Sequence, residues 1–404
     1  MAALVLLTLA GLFSVFTVAG IFQALAGWRE VRRFAATAPT TTSDLPPITL
    51  LKPLHGDEPL LEAALTSVCA QDYPDFQVIF GVQREDDPAI ALVRRLQQLF
   101  PDRAIDLVID PTPHGANRKV ANLINMYRSA QHDVIVIADS DLHCAPDYLR
   151  RVAVEFAVPD VGLVTTLYAG LAADPGLPGL LGASAINHFF LPGALMSRAL
   201  GREDCLGATM ALRRETLERI GGLHALVAHL ADDNVLGQLV RAQNLRIRIA
   251  TTVPATTVPE ATLGALFSHE LRWSRTILSL VPFEYAASAL QYPLALALPA
   301  WAFGAAAGYG LWGAALYVVA WAARGAAARG IDLSLGLTRA GRATQAAIWL
   351  LPLRDLLSMA VFLASYASDR VEWRGNIMHT HASDENPTTP EDEPDPAPEG
   401  KFVP

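Results

Sequence analysis

Three long stretches of this chain are almost without charge, and they limit what it can fold into. Residues 1–28 carry no charged side chain, and neither do residues 285–323. Residues 343–368 are interrupted only by Arg354-Asp355. About 20 apolar residues cross a bilayer as one helix, and a helix satisfies its own backbone there. The first stretch therefore predicts one span, a membrane anchor over 1–28. The second is long enough for two, with Gly304, Gly308 and Gly310 marking the turn between them. The third makes 285–368 two spans plus a third span or a re-entrant helix. The composition agrees: 52% of the residues are hydrophobic and 18% charged, which is unusual for a soluble domain.

The pair Arg354-Asp355 has 11 apolar or neutral residues before it and 13 after it, neither run long enough to cross alone. Two readings stand. Either the pair faces water from an interfacial or re-entrant helix, or it faces the other spans or the domain between the apolar stretches, beside an entry route. A re-entrant helix spares the pair the bilayer centre and leaves the C-terminal tail cytoplasmic, the side expected for it. Arg29, Arg32 and Arg33 follow the first stretch, and no basic segment precedes it. It therefore reads as a retained anchor with the next domain in the cytoplasm. Arg324, Arg329, Arg339 and Arg342 are read as a loop on the same side. The net charge of −9 owes much to an acidic, Pro-rich end, 382–404, which is expected to be disordered. That balance gives nucleic-acid binding no support. Cys69, Cys144 and Cys205 show no metal spacing and fit a reducing compartment.

Residues 34–47, rich in Ala, Thr and Pro, read as a linker. From 48 to 280 short β-branched runs alternate with amphipathic ones. Strands are predicted at 48–51, 77–81, 105–109, 134–138, 162–167, 207–212 and 246–251. Helices are predicted at 60–70, 88–100, 119–130, 148–156, 215–220 and 229–243. This alternation implies βαβ units and an α/β domain on a parallel or mixed sheet. Residues 180–200 are mostly apolar and read equally as an interfacial helix or a buried one.

Asp139-Ser140-Asp141 follows the 134–138 run. Two carboxylates one residue apart, at the C-terminal end of a buried strand, can close on one divalent cation. Ligands of open α/β sheets sit at that edge, and hard oxygen donors suit Mg²⁺ or Mn²⁺ holding a diphosphate. On its own the tripeptide also fits a solvated turn. Asp86-Asp87 follows the second strand and could accept from a uracil ring or ribose hydroxyls, or simply cap the next helix. Lys119, after Asn117-Arg118 at a helix start, offers a cation and helix amides to phosphate oxygens, or is ordinary helix-start chemistry. Asp233, after Asp232, is a candidate general base, or a carboxylate balancing a helix dipole. Arg272 can steady a departing diphosphate and Trp273 can wall a site. Both also suit a membrane interface.

In this order the pieces resemble the ceramide glucosyltransferase family, membrane members of the inverting glycosyltransferases with a GT-A, Rossmann-like fold. The stretches that carry the resemblance cover 48–280. They are Leu-Leu-Lys-Pro-Leu-His-Gly (50–56), Gln-Asp-Tyr-Pro (71–74), Val-Gln-Arg-Glu-Asp-Asp-Pro-Ala (82–89), Gly-Ala-Asn-Arg-Lys (115–119), Asp-Ser-Asp (139–141), Gly-Leu-Val (162–164), Ala-Asp-Asp (231–233) and Arg-Trp (272–273). The details at 54–59, 114–119 and 269–273 look most like a bacterial branch of hopanoid biosynthesis that adds N-acetylglucosamine to bacteriohopanetetrol. The resemblance implies a UDP-sugar donor and a lipid acceptor in the membrane, with other enzymes of the same lipid pathway as further partners. It implies Asp86 or Asp87 near the nucleoside, Asp139 and Asp141 at the metal, and Asp233 as base. It also implies a multi-pass protein of the bacterial inner membrane. Two positions depart from the pattern. His269 stands where Gln or Arg is usual, and Asn234 where an aromatic follows the acidic pair.

Overall fold

The computed structural model describes residues 1–42, 44–337, 343–368, 370–373 and 376–379. Arg339, Arg342 and the acidic end from 382 lie outside them. Seven strands form the main sheet: β1 (Ile48–Pro53), β2 (Phe76–Val82), β3 (Ala104–Ile109), β4 (Val134–Ala138), β6 (Val161–Thr165), β8 (Thr209–Arg213) and β9 (Arg246–Ile249). Their order is β3-β2-β1-β4-β8-β6-β9. The first four are parallel, as the βαβ pattern requires. β8 runs antiparallel to both β4 and β6, so the sheet is mixed. β1, β2 and β4 are buried nearly end to end, because helices cover both faces. Ile48, Leu50, Val78, Val134 and Val136 point into one core. Leu51, Ile79, Ile135 and Ile137 point into the other.

The chain runs from β1 out to β3 and returns to place β4 on the opposite side of β1. That reversal opens a crevice at the C-terminal ends of β1 and β4, where open α/β sheets bind ligands. A second, three-stranded sheet builds onto the same end. It is formed by β5 (Leu142–His143), β7 (Ala169–Ala172) and β10 (Ala255–Val258), in the order β5-β10-β7. This sheet is not evident from the sequence, since its strands are two to four residues long and lack sustained alternation.

Four helices among the described residues are long and apolar enough to cross a bilayer: Ala2–Ala35, Leu177–Ala199, Gly310–Ser334 and Ile348–Ser365. Pro293–Ala306 is apolar but shorter. The first helix packs along Pro293–Ala306 and Gly310–Ser334. Its small residues permit the approach: a Cβ on Gly20 would lie 2.3 Å from the Leu290 carbonyl oxygen, and one on Gly27 2.9 Å from the Pro192 side chain. Close backbone contact of this kind is how apolar helices associate in lipid. Leu4, Val5, Val15 and Phe22 stay exposed on its outer face, as do Leu311, Val318 and Val319 on the Gly310–Ser334 helix. The Leu177–Ala199 helix is mostly buried within the protein, which fits the buried reading of 180–200.

One expectation changes here, and of the two readings of Arg354-Asp355 the one facing the other helices holds. Arg324 and Arg329 are not in a loop, because their helix continues to Ser334, and Arg324 is fully enclosed. Arg354 and Asp355 do not face water. Both are completely buried, Arg354 against the helix that carries Arg272 and Trp273, and Asp355 against Arg324 and Leu294.

Candidate active site

Four segments converge on the C-terminal ends of β1 and β4. β4 ends at Ala138 and the next residue, Asp139, presents its carboxylate to Lys119 Nζ at 2.6 Å. Lys119 is in the first turn of the Arg118–Tyr127 helix. Asn117 caps that helix by accepting from Val120 N–H at 3.1 Å, the ordinary work of an N-cap. The Asn117 amide also donates to the His229 carbonyl at 2.8 Å. It thereby ties this helix to the loop before the Asp232–Ala242 helix. The same lysine lies 3.9 Å from Asp232 Oδ2. One cation therefore joins the strand-end carboxylates to the acidic pair some ninety residues later. Burial alone would lower the Lys119 pKa, but Asp139 and Asp232 outweigh it and hold the ammonium charged.

Asp141 accepts from Thr256 Oγ1 of β10 at 2.5 Å. Burial, with the Asp139 charge beside it, pushes its pKa up to about 6. Ser140 turns away and donates to Glu58 at 2.5 Å. Beneath the turn lies Lys52, completely buried at the end of β1. Its Nζ donates to the Asp139 carbonyl at 2.7 Å and the Leu142 carbonyl at 3.4 Å, and burial lowers its pKa.

Among the described residues no three His, Cys, Asp or Glu side chains cluster as a metal-binding group. The donor set nonetheless suits a hard cation that takes one or two carboxylates and completes its shell with substrate phosphate. Asp139 and Asp141 lie close enough to raise the Asp141 pKa, a repulsion a divalent cation would relieve.

Asp233 opens the Asp232–Ala242 helix. Its Oδ1 accepts from Asn234 N–H at 2.8 Å. Its Oδ2 faces Gly207, where a Cβ would come within 2.8 Å. Burial and then the Asp232 charge push the Asp233 pKa up to about 6. Tyr168 stands nearby, its hydroxyl pKa raised by burial and by the Asp233 and Asp139 charges. Its ring stacks on Phe190 at 4.5 Å, and both pack in one cluster with Val258 and Trp273.

Arg272 and Trp273 lie on the Leu263–Leu280 helix. The Trp273 ring meets His269 edge-on at 4.5 Å, and His269 Nδ1 contacts the Glu260 carboxylate. Glu270 on the same helix makes a two-pronged pair with Arg354, at 2.7 and 2.6 Å.

The aspartates after β2 sit differently. Asp87 accepts from Gly56 N–H at 3.1 and 3.0 Å and from Ala89 N–H at 2.9 Å. It holds the first residue of the next helix, whose N-cap is Pro88, and pins the loop after β1. Asp86 is exposed and forks with Arg84 at 2.8 and 2.6 Å.

Of the residues singled out in the sequence, the structure brings Lys119, Asp139, Asp141 and Asp233 into one acid cluster, with Trp273 joined to it through Tyr168. Lys52, which lies in the 50–56 stretch, and Gly207, Tyr168 and Thr256 have no site role in the sequence reading. A lysine ending an apolar strand at Leu-Leu-Lys-Pro was the one signal that could have found any of them.

A mixed sheet whose strand-end carboxylates lie at the β1–β4 reversal, with apolar helices at both ends, defines a GT-A-like glycosyltransferase fold. The family model described as "Glycosyl transferase family 21" matches residues 11–385, and the chain belongs to that family. Ceramide glucosyltransferase 3 of Caenorhabditis elegans is 22% identical over 350 residues, 83% of this chain and 73% of that protein. Ceramide glucosyltransferase 1 of the same organism is 22% identical over 61% of this chain, which spans about half of that relative, 53%. The beta-monoglucosyldiacylglycerol synthase of Synechocystis sp. is 22% identical over 59% of this chain and 49% of its own length. Among solved structures, a mannosyltransferase from Pyrobaculum calidifontis in complex with GDP-Man and Mn²⁺ superposes with a TM-score of 0.52. It is 21% identical, over 89% of this chain and 98% of its own.

Proposed function

We propose that this chain is a membrane-anchored inverting glycosyltransferase that moves a sugar from a UDP-sugar to the hydroxyl of a lipid. One observation carries the reading: Lys119 bridges Asp139 at the end of β4 and Asp232, the neighbour of Asp233. Asp139 on the donor side and Asp232, beside the candidate base, thus share one cation.

In this reading Asp139 and Asp141 would hold Mg²⁺ or Mn²⁺ at the donor diphosphate, and the chemistry such an ion would supply is charge neutralisation at the leaving group. Asp233 takes the proton of the acceptor hydroxyl as its oxygen attacks the anomeric carbon from the face opposite the diphosphate. An α-linked donor then gives a β-linked product. A carboxylate with a pKa near 6 is ionised at neutral pH and still basic enough to accept that proton. Lys119 and Arg272 stabilise the departing diphosphate, and Trp273 walls the site against water. Asp87 shapes the nucleoside side through the Gly56 loop, and Asp86 lies at its rim. The apolar helices hold the site at the bilayer surface, where a lipid hydroxyl can reach it.

For sugar and acceptor, the motifs at 54–59, 114–119 and 269–273 favour N-acetylglucosamine and bacteriohopanetetrol. A second reading, glucose onto ceramide or diacylglycerol, is favoured by the names of the relatives. The expected setting is a bacterial inner membrane with the catalytic domain facing the cytoplasm, the side where UDP-sugars are made.

Incubating membranes that contain the protein with labelled UDP-sugars and each lipid, and identifying products by mass spectrometry, tests the reading. A β-linked glycolipid formed with release of UDP is the expected result. No lipid product from any pairing, beside a correctly folded protein, would overturn it.

A further inference from the structure

Lys52 stands in the middle of the main sheet, on β1, which pairs with β2 on one side and β4 on the other. Its side chain is completely buried. A lysine is rarely enclosed in this way unless its donors are used. Here Nζ donates to the main-chain oxygen of Asp139 at 2.7 Å and to that of Leu142 at 3.4 Å. Those two residues are the ends of one turn, since Leu142 N–H donates back to the Asp139 oxygen at 3.4 Å. Between them stand Ser140 and Asp141. One amino group therefore closes the base of the turn that carries both strand-end carboxylates. Enclosed beneath that turn, it cannot touch a substrate.

We propose that Lys52 is a positioning residue of the donor site: it fixes the main chain of the 139–142 turn so that Asp139 and Asp141 stay directed at one divalent cation before that cation arrives. The proposal rests on the glycosyltransferase reading above. Two carboxylates one residue apart repel, and a loose turn would relax by swinging them apart. The rest of the turn is held from its flanks. Asp139 N–H donates to the Ala208 carbonyl at 3.2 Å, and the Asp141 carbonyl accepts from Thr257 N–H at 3.3 Å. The Asp141 carboxylate accepts from Thr256, and Ser140 reaches Glu58 on the other side. Lys52 grips both ends of the turn at once, from below.

The two roles open to a buried lysine differ in what replaces it. One that serves only the core can give way to an apolar side chain of its own length, as buried charged groups often do. One that holds metal-binding carboxylates cannot, because such groups set affinity without touching the ion. A site must be held in its productive geometry by partners of this kind.

The full-length protein in phosphatidylcholine nanodiscs tests this with Lys52→Met, which keeps the length of the side chain and removes its donors. Mn²⁺ binding in the presence of UDP, read from the paramagnetic resonance signal of free Mn²⁺, needs no turnover. The variant should bind roughly 10–100-fold more weakly, the usual cost of removing a group that holds a metal-binding side chain. The KM for UDP-sugar should rise while the acceptor KM hardly moves. With neither metal nor nucleotide present, the Asp139 and Leu142 amides should exchange with deuterium faster than in the unchanged protein, at a nearly unchanged thermal midpoint. Lys52→Gln, whose amide is one bond shorter and cannot span both oxygens, provides the same test should Lys52→Met not fold. Unchanged Mn²⁺ binding or unchanged exchange in a folded variant would overturn the proposal. If neither variant folds, Lys52 belongs to the core and the proposal falls. An unchanged protein that binds no Mn²⁺ with UDP would instead remove the donor-site reading, and exchange of the turn amides would still decide whether Lys52 fixes the turn.

Discussion

Lys119 joins the two halves of the acid cluster, and Asp233 is the residue on which the proposed chemistry depends. Asp233→Asn keeps the shape and removes the base. Turnover should fall by roughly 10²–10⁴ while UDP-sugar binding, followed by calorimetry, is retained. A larger loss for Asp232→Asn than for Asp233→Asn would move the base to its neighbour. The direction of the Asp233 shift sets the pH profile. The base works only when ionised, so kcat should decline as pH falls through about 6, an acid limb that Asp233→Asn should lack. Gly207→Ala offers a subtler probe. The new Cβ would press on Asp233 Oδ2 at 2.8 Å, so kcat should drop with thermal stability nearly unchanged. On the donor side, Asp139→Asn and Asp141→Asn should each weaken metal-stimulated turnover; full activity of both in excess chelator would remove them from the metal. The carboxylates were legible in the sequence because each follows a strand or opens a helix, where chemistry is expected. Tyr168 and Gly207 were not, because their importance lies only in what stands opposite them in space.

At the scale of elements, local pattern served the strands well. β4 is a continuous apolar run and β1 and β2 are mostly apolar, and their spans could be read to within two residues. The Asp232–Ala242 helix starts three residues later than the pattern from 229 implies, because Leu230 and Ala231 lead into it without helical geometry. Arg324 defies local reading for a different reason. A charge after an apolar run resembles the end of a span, and the partner that lets it stay inside, Asp355, comes 31 residues later on another helix. The Arg354–Glu270 pair is equally non-local. It fixes the helix carrying Arg272 and Trp273 to the last apolar helix, with Arg354 also donating to the Leu181 carbonyl at 3.1 Å. Glu270→Gln would leave the Arg354 charge buried without its counter-charge. Breaking a buried pair from one side costs about 3–5 kcal/mol. The variant should therefore unfold at a clearly lower temperature in detergent, and the double change Glu270→Leu with Arg354→Met should recover much of the loss. A midpoint unchanged by Glu270→Gln alone would show that the pair is not a fastening.

For the whole molecule the open question is which side of the bilayer the sheet occupies. The first helix has 34 residues, about 50 Å at 1.5 Å per residue, while the hydrocarbon core is about 30 Å thick. Its C-terminal part must therefore project beyond the core on the side of the sheet. That part carries Arg29, Arg32 and Arg33, with the Arg32 guanidinium 5.8 Å from the Trp28 ring centroid. A tryptophan with arginines beyond it is the pattern of a helix leaving the membrane on its cytoplasmic face. Thr40, just after the helix, donates to Glu155 at 3.2 Å, and Glu155 pairs with Arg248 of β9 at 2.5 Å. The linker is thus attached to the sheet and must share its side. A cysteine at the exposed Thr41, in a Cys144→Ser background that leaves only the buried Cys69 and Cys205, should resist a membrane-impermeant maleimide in intact spheroplasts. It should react once the membrane is opened. Rapid labelling before opening would place the sheet, the acid cluster and the donor on the outer face, and the cytoplasmic pool of UDP-sugars could then no longer supply the reaction.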